Sequence, residues 1–291
     1  MTYDQLYSEI QKKGSFLCVG LDTDIEKVPS CIKEEVKKQG LSESAALFLF
    51  NKRIIDATAP YAVAFKLNTA FYEALGAEGF SQMEESVKYI RANYPNIFII
   101  VDAKRGDIGN TARQYAKAFF KRMDCDAVTV SPYMGGDAVL PFLEYEGKWV
   151  IVLALTSNVT AEDFETLETS PHSTPYGEED DVVTPLYERV IRQAEKWGNK
   201  ERIMFVVGAT RPGQLNRIRL LSPESFFLVP GVGAQGGTVE EVAKAAMNSS
   251  CGLIVNSSRG IIYADNTEKF AEVAAIKAEE MASEMRHFLE K

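Results

Sequence analysis

The stretch most suited to chemistry is IFIIVDAKRGDIGNTA, residues 97–112, where an unbroken apolar run passes straight into alternating charge at Asp102, Lys104 and Asp107. A lysine held among carboxylates stays protonated. A fixed ammonium of that kind can stabilise developing negative charge and can also deliver a proton. If the run is a strand, its period of two sends Asp102 and Lys104 to one face and Val101 and Ala103 to the other. In AVAFKLN, residues 62–68, the same rule puts Lys66 and Asn68 on a common face. Asn68 there can touch a ligand or serve the fold. Lysines and carboxylates meeting at one place form an alternating network, which by itself could be a structural cap as readily as a working site.

A second feature favours the working site. PGVGAQGG, residues 230–237, follows an apolar run, and its glycines let backbone N–H groups approach an anion closely. Arg259, after the last apolar run, adds a cation suited to phosphate. Glycine-rich loops are common as plain turns, so the weight rests on where this one falls in the fold.

The elements that must position these groups can be counted. Apolar, β-branched runs at Phe16–Leu21, Ala62–Leu67, Ile97–Ala103, Ala127–Ser131, Trp149–Leu155, Ile203–Val207, Phe226–Val229 and Gly252–Asn256 alternate with helical periodicity. The helical stretches are Ser44–Thr58, Ser81–Asn93, Asn110–Arg122, Pro185–Trp197, Pro212–Leu220, Thr238–Asn248 and Lys269–Leu289. Eight alternations predict an α/β fold, a TIM (β/α)8 barrel in a single domain spanning 1–291. A doubly wound sheet is the runner-up, but no G-x-G-x-x-G follows the first strand, which ends in Gly20-Leu21-Asp22. In a barrel, chemistry gathers at the C-terminal ends of the strands, where Asp22, Lys66, Asp102, Lys104, Thr156, Ser157 and Arg259 all fall. Two long loops are expected, at about 24–41 and 158–184. The second is acidic and rich in Thr, Ser and Pro and reads as an exposed excursion.

Composition narrows the function classes. The net charge of -9 argues against broad nucleic-acid binding, which needs a dominant basic surface. No apolar run approaches the roughly 20 residues that span a bilayer, and the start, MTYDQLYSEIQKKGSF, lacks the pattern of a signal peptide, so a cytoplasmic location is expected. The four cysteines are scattered; Cys18, Cys125 and Cys251 read as core thiols. With only His172 and His287, and no Cys-x-x-Cys or His-x-x-x-His spacing, no metal site is expected.

The motif Asp102-Ala103-Lys104-Arg105-Gly106-Asp107, with FKLN, PGVGAQGG and Arg259 in order along the chain, resembles the orotidine 5'-phosphate decarboxylase family. The DAKRGDIGNTA form and the two long loops look like its longer bacterial branch. The resemblance implies conversion of orotidine 5'-monophosphate to UMP and carbon dioxide, with no cofactor or metal, by a homodimer with shared active sites. It further implies Lys104 as proton donor to C6, Asp102 against the departing carboxylate, and Lys66 orienting Asp102 and contacting the ribose. Asp107 and Thr111 would reach the neighbouring subunit's site. Asp22 would bind a ribose hydroxyl, Ser157 (or, by a shift of register, Thr156) the pyrimidine edge, Gln235 phosphate and base, and Arg259 the phosphate. Ser258 departs from the glycine that often precedes the family's phosphate-binding arginine.

Three other readings share parts of this pattern. A metal-dependent sugar-phosphate decarboxylase or hexulose-phosphate synthase would want an acidic magnesium ligand where this chain has Lys66. An isomerase of the ribulose-phosphate epimerase type would want histidines on the strand ends. A non-catalytic nucleotide-binding barrel would have no use for Asp102, Lys104 and Asp107 together.

Overall fold

The computed structural model describes residues 1–170, 183–209, 212–233 and 236–290. Eight parallel strands form a closed barrel: β1 (Leu17–Gly20), β2 (Ala62–Asn68), β3 (Phe98–Arg105), β4 (Ala127–Val130), β5 (Trp149–Leu155), β6 (Ile203–Val207), β7 (Phe227–Pro230) and β8 (Leu253–Ser257). Each pairs with the next, and β8 closes on β1 with Leu17 opposite Val255. Strands in such a barrel are covered on both faces, which is why their sequences run apolar without alternation. Every residue of β1, β4, β6 and β8 is buried.

Helices pack outside the strands and bury the apolar residues of one face. Ala45–Thr58 contributes Leu47, Phe50, Ile54 and Ile55, at the spacing of one helical stripe. Val239–Ala246 starts where Thr238 accepts from the Glu241 N–H and the Glu241 side chain answers the Thr238 N–H, a reciprocal cap that fixes the exit from the glycine loop.

The chain departs from the sequence expectations in several places. The stretch expected as a long loop at 24–41 holds a single turn, Ile25–Lys27, and a helix, Ser30–Lys38, because Ile32 and Val36 stand four apart and bury together. An unforeseen helix, Tyr3–Lys13, lies ahead of β1; it is capped by Thr2 and ended by Gly14 at φ 57°. Gly76–Asn93 begins earlier than expected, after a short helix Thr69–Glu73. The helix expected at Asn110–Arg122 is Gly109–Ala116 followed by a π-helical stretch, Lys117–Arg122. In the excursion at 158–184, the two described ends meet as a short antiparallel ribbon, Glu168–Thr169 against Thr184–Pro185. Residues 171–182, including His172, lie outside the described residues.

Candidate active site

Strand register assembles the charges. Gly20 lies opposite Lys66, Lys66 opposite Ile100 and Asn68 opposite Asp102, so the ends of β1, β2 and β3 converge. The almost fully buried Lys66 Nζ lies 3.0 Å from Asp22 Oδ1 and 3.3 Å from Asp102 Oδ2. Burial alone would lower the lysine pKa, but Asp22 and Asp102 outweigh it and hold Lys66 above the ordinary lysine range. Asp102 shows the mirror case. Burial pushes its carboxyl up, while Lys66 and Lys104, helped by hydrogen bonds from Lys104 and Thr129, bring it below the ordinary carboxylate range. Both groups are therefore charged at neutral pH.

Lys104 reaches Asp102 by a route that strand period does not describe. Its φ is 46°, in the left-handed region, and the β3–β4 register slips between Val101 and Arg105. Such a conformation costs a lysine about 1–2 kcal/mol and signals that the surroundings impose it. Thr129 on β4 supplies the imposition: its hydroxyl accepts from the Lys104 N–H at 2.9 Å and donates to Asp102 Oδ1 at 2.8 Å. The Lys104 Nζ lies 2.7 Å from the same Oδ1, and its side chain stays 49% exposed at the barrel mouth. Asp102 is thus gripped by two ammonium groups and a hydroxyl.

A buried polar network steadies Asp22 from behind. The Tyr72 hydroxyl donates to Leu21 O at 2.8 Å and accepts from Asn51 Nδ2 at 2.9 Å, and the Thr23 hydroxyl donates to Asn51 Oδ1 at 2.6 Å. The Tyr263 hydroxyl accepts from the Asp24 N–H at 2.7 Å and donates to Asp22 O at 3.1 Å. Thr129, Tyr72 and Tyr263 were not foreseen. Thr129 sits inside AVTV, which reads as core; Tyr72 lies in the short helix Thr69–Glu73 and Tyr263 just after the helical turn Arg259–Ile262, and only the closed fold supplies the partners of both.

The remaining expected residues divide. Asn68 takes the structural option: its side chain accepts from the Ala70 N–H at 3.2 Å and caps Thr69–Glu73. Asp107 accepts from the neighbouring Ile108 N–H at 2.7 Å, and Thr111 stands exposed on the first turn of Gly109–Ala116. Among the described residues, no hydrogen bond or ion pair joins either one to Lys66, Asp102 or Lys104. At the end of β5 the Thr156 hydroxyl is engaged by Asn158 at 2.6 Å and Glu165 at 2.9 Å. Ser157 packs its backbone against Gly208, where a Cβ would fall 2.8 Å from the Ser157 nitrogen.

The features expected to bind an anion follow β7 and β8. Gly231, Gly233 and Gly236 all have positive φ, and the loop folds back through Val232 opposite Gly237 and a Gly233 N–H to Gly237 O bond of 2.8 Å. Gln235 lies outside the described residues. Arg259 is exposed at the start of a short helical turn. The preceding Ser258 donates to Gly20 O at 3.0 Å, and a Cβ on Gly20 would meet the Ser258 Cβ at 2.7 Å. The departure at Ser258 is thus accommodated by the glycine opposite it. On β8, Asn256 is buried with its Oδ1 unpaired, another polar group missed in an apolar run. Among the described residues, no group of three or more His, Cys, Asp or Glu side chains is arranged to hold a metal ion.

The family model described as orotidine 5'-phosphate decarboxylase / HUMPS family matches residues 15–274. An orotidine 5'-phosphate decarboxylase of Phocaeicola vulgatus is 53% identical over 289 residues, covering 99% of each chain. One from Christiangramia forsetii is 51% identical, covering 100% of each. The structure of Leishmania donovani OMP decarboxylase superposes with a TM-score of 0.77 at 33% identity, covering 99% of this chain and 98% of that one. A family match over most of the chain, full-length relatives and a barrel whose charges converge at one mouth agree: this chain belongs to the orotidine 5'-phosphate decarboxylase / HUMPS family.

Proposed function

We propose that the chain converts orotidine 5'-monophosphate to UMP and carbon dioxide in the cytoplasm, as the last step of de novo UMP synthesis, without metal or organic cofactor. The observation that carries this reading is the ladder Asp22–Lys66–Asp102–Lys104, at 3.0, 3.3 and 2.7 Å between successive charged atoms. Breaking the bond between C6 and its carboxylate leaves an electron pair on C6 that the ring π system cannot delocalise. An ammonium fixed beside C6 stabilises that pair and then gives it a proton, forming the C6–H bond as carbon dioxide leaves. Lys104 serves both roles; its position against Asp102 at the barrel mouth supports this, and its half-exposed side chain lets solvent restore the proton afterwards.

Asp102 keeps Lys104 oriented and lies against the departing carboxylate, while Lys66 fixes Asp102 and contacts the ribose. Asp22 takes a ribose hydroxyl. Ser157 takes the pyrimidine edge, as the resemblance gives it. Arg259 binds the phosphate with the glycine loop, and the resemblance gives Gln235 the span between phosphate and base. Remote phosphate binding adds energy that can be realised in the transition state. Asp107 and Thr111 serve the site of a second subunit in a homodimer. The exposure of Thr111 supports this, as does the apolar surface nearby, with Ile108 51% and Tyr133 84% exposed. The four free thiols suit a reducing compartment, and among the described residues no helix is long and apolar enough to cross a membrane.

Metal-dependent chemistry fits this site poorly, because the Lys66 ammonium already stands between the two carboxylates a divalent cation would need. The decisive experiment follows orotidine 5'-monophosphate absorbance in the presence of EDTA. Sustained turnover is expected, and a folded, UMP-binding protein that leaves the substrate unchanged would sink the proposal. For the shared site, mixing inactive Lys104→Ala and Asp107→Ala variants should restore activity to about a quarter of wild type in randomly exchanged dimers, of which half are mixed with one intact site. No recovery after subunit exchange would place Asp107 in its own subunit's site.

A further inference from the structure

The β5 ladder ends at Leu155, whose carbonyl accepts from the Gly208 N–H at 2.8 Å, and the next N–H, that of Thr156, has left the sheet. Glu165, nine residues on, takes it: Oε2 accepts from the Thr156 N–H at 2.7 Å, and Oε1, at 2.9 Å, shares the Thr156 hydroxyl proton with Asn158 Oδ1 at 2.6 Å. Both carboxylate oxygens are spent on one residue, so they fix the backbone at Thr156 in position and in rotation. The backbone of Glu165 is itself anchored. Its N–H donates to Ala161 O at 2.8 Å, and its carbonyl accepts from Tyr187 N at 2.8 Å, tying in the returning arm of the excursion. Ser157 therefore stands between two fixed walls, Gly208 pressed against its backbone and Thr156 clamped by Glu165.

We infer that Glu165 is a positioning residue for the pyrimidine end of the site, acting through Thr156 to aim Ser157. The described stretch from Asn158 to Glu165 is then a brace for base recognition rather than a decoration of the rim. This rests on the reading of Ser157 as the pyrimidine contact. The phosphate end is built on β7 and β8, and Glu165 has no bond to it among the described residues. The two ends of a nucleotide should therefore respond differently to its loss.

The test compares competitive inhibition of decarboxylation by UMP and by ribose 5-phosphate, which shares the sugar and phosphate but lacks the base. Glu165→Ala should weaken UMP about tenfold, the loss of two hydrogen bonds to a carboxylate, and change ribose 5-phosphate by no more than about twofold. Glu165→Gln, which keeps an acceptor for the Thr156 N–H, should fall between Glu165→Ala and wild type, and it supplies the reading if the alanine variant does not fold. Ser157→Ala should weaken UMP on its own and should add little in the Glu165→Ala background, since both act along one path. Equal weakening of UMP and ribose 5-phosphate, or no change in either, overturns the inference. If Ser157→Ala leaves UMP inhibition intact, the pyrimidine assignment falls and the inference with it. Absence of turnover in the wild type overturns the functional reading itself.

Discussion

At the base of the barrel, Arg219 is buried and donates to the carbonyls of Ala246, Ser222, Ser225 and Gly252 at 2.7, 2.9, 2.7 and 2.8 Å, with its guanidinium 3.7 Å from the centre of the Phe227 ring. At the mouth, Lys104 is half exposed, sits on a left-handed backbone and has, among the described residues, one carboxylate partner. Burial, with no carboxylate partner among the described residues, lowers the Arg219 pKa to about 10, yet its guanidinium meets four fixed backbone acceptors and the Phe227 ring. The Lys104 ammonium has three N–H groups and one close carboxylate, so it retains capacity for a guest. In the proposed reading, the difference separates charges that staple a fold from charges that wait for a substrate. Exposure, strain and unspent hydrogen-bonding capacity coincide at the mouth.

The largest effect expected from this contrast is on turnover. Lys104→Ala should lower kcat by about 10⁴-fold, since one group supplies both charge stabilisation and the proton, while the urea unfolding midpoint stays close to wild type. Retention of more than a few per cent of the activity would remove Lys104 from the proton-donor role. Next comes the base: Arg219→Met should cost about 3–5 kcal/mol in stability by leaving several buried carbonyls without donors, yet leave kcat per folded molecule near wild type. A loss of kcat with unchanged stability would break the contrast, because it would mean that the base participates in the chemistry.

How much of this was legible in the sequence follows from what each level of structure depends on. The eight strands were visible because burial on both faces writes a continuous apolar run, as in WVIVLAL and IMFVV. The charges at Asp22, Lys66, Asp102 and Lys104 stood out because each follows or interrupts such a run. Hidden instead were the features that depend on a partner distant in the chain. Thr129 is one threonine in an apolar strand until β3 brings Asp102 to 2.8 Å. Glu165 is one acid in an acidic excursion until the chain folds back on Thr156. The left-handed turn at Lys104 defeats the period-two rule, although the rule paired the right side chains, since a 2.7 Å contact joins them by another geometry. The helix Ser30–Lys38 was overlooked because only Ile32 and Val36 mark its buried face, a signal two residues strong.

The smallest of the three effects concerns pH and sharpens the account of the mouth. Asp102 sits below the ordinary carboxylate range because the pull of Lys66 and Lys104 exceeds the penalty of burial. A depressed folded-state pKa means that the unfolded chain takes up the proton first as the solution is acidified. The stabilisation from this group is fully present above the unfolded value, about pH 4, and is lost as pH falls from there through the lowered folded value. Within that window its contribution to the slope approaches about 1.4 kcal/mol per pH unit, the limit for one proton. Asp102→Asn has no proton to take up at this position. Urea unfolding of both proteins from pH 6 down to pH 3 should show a constant gap in stability above about pH 4.5 that narrows below it. A gap that stays constant across the whole range would mean that Lys66 and Lys104 do not hold Asp102 as an ion, and the mouth would then be a cap of hydrogen bonds rather than a charged site held ready.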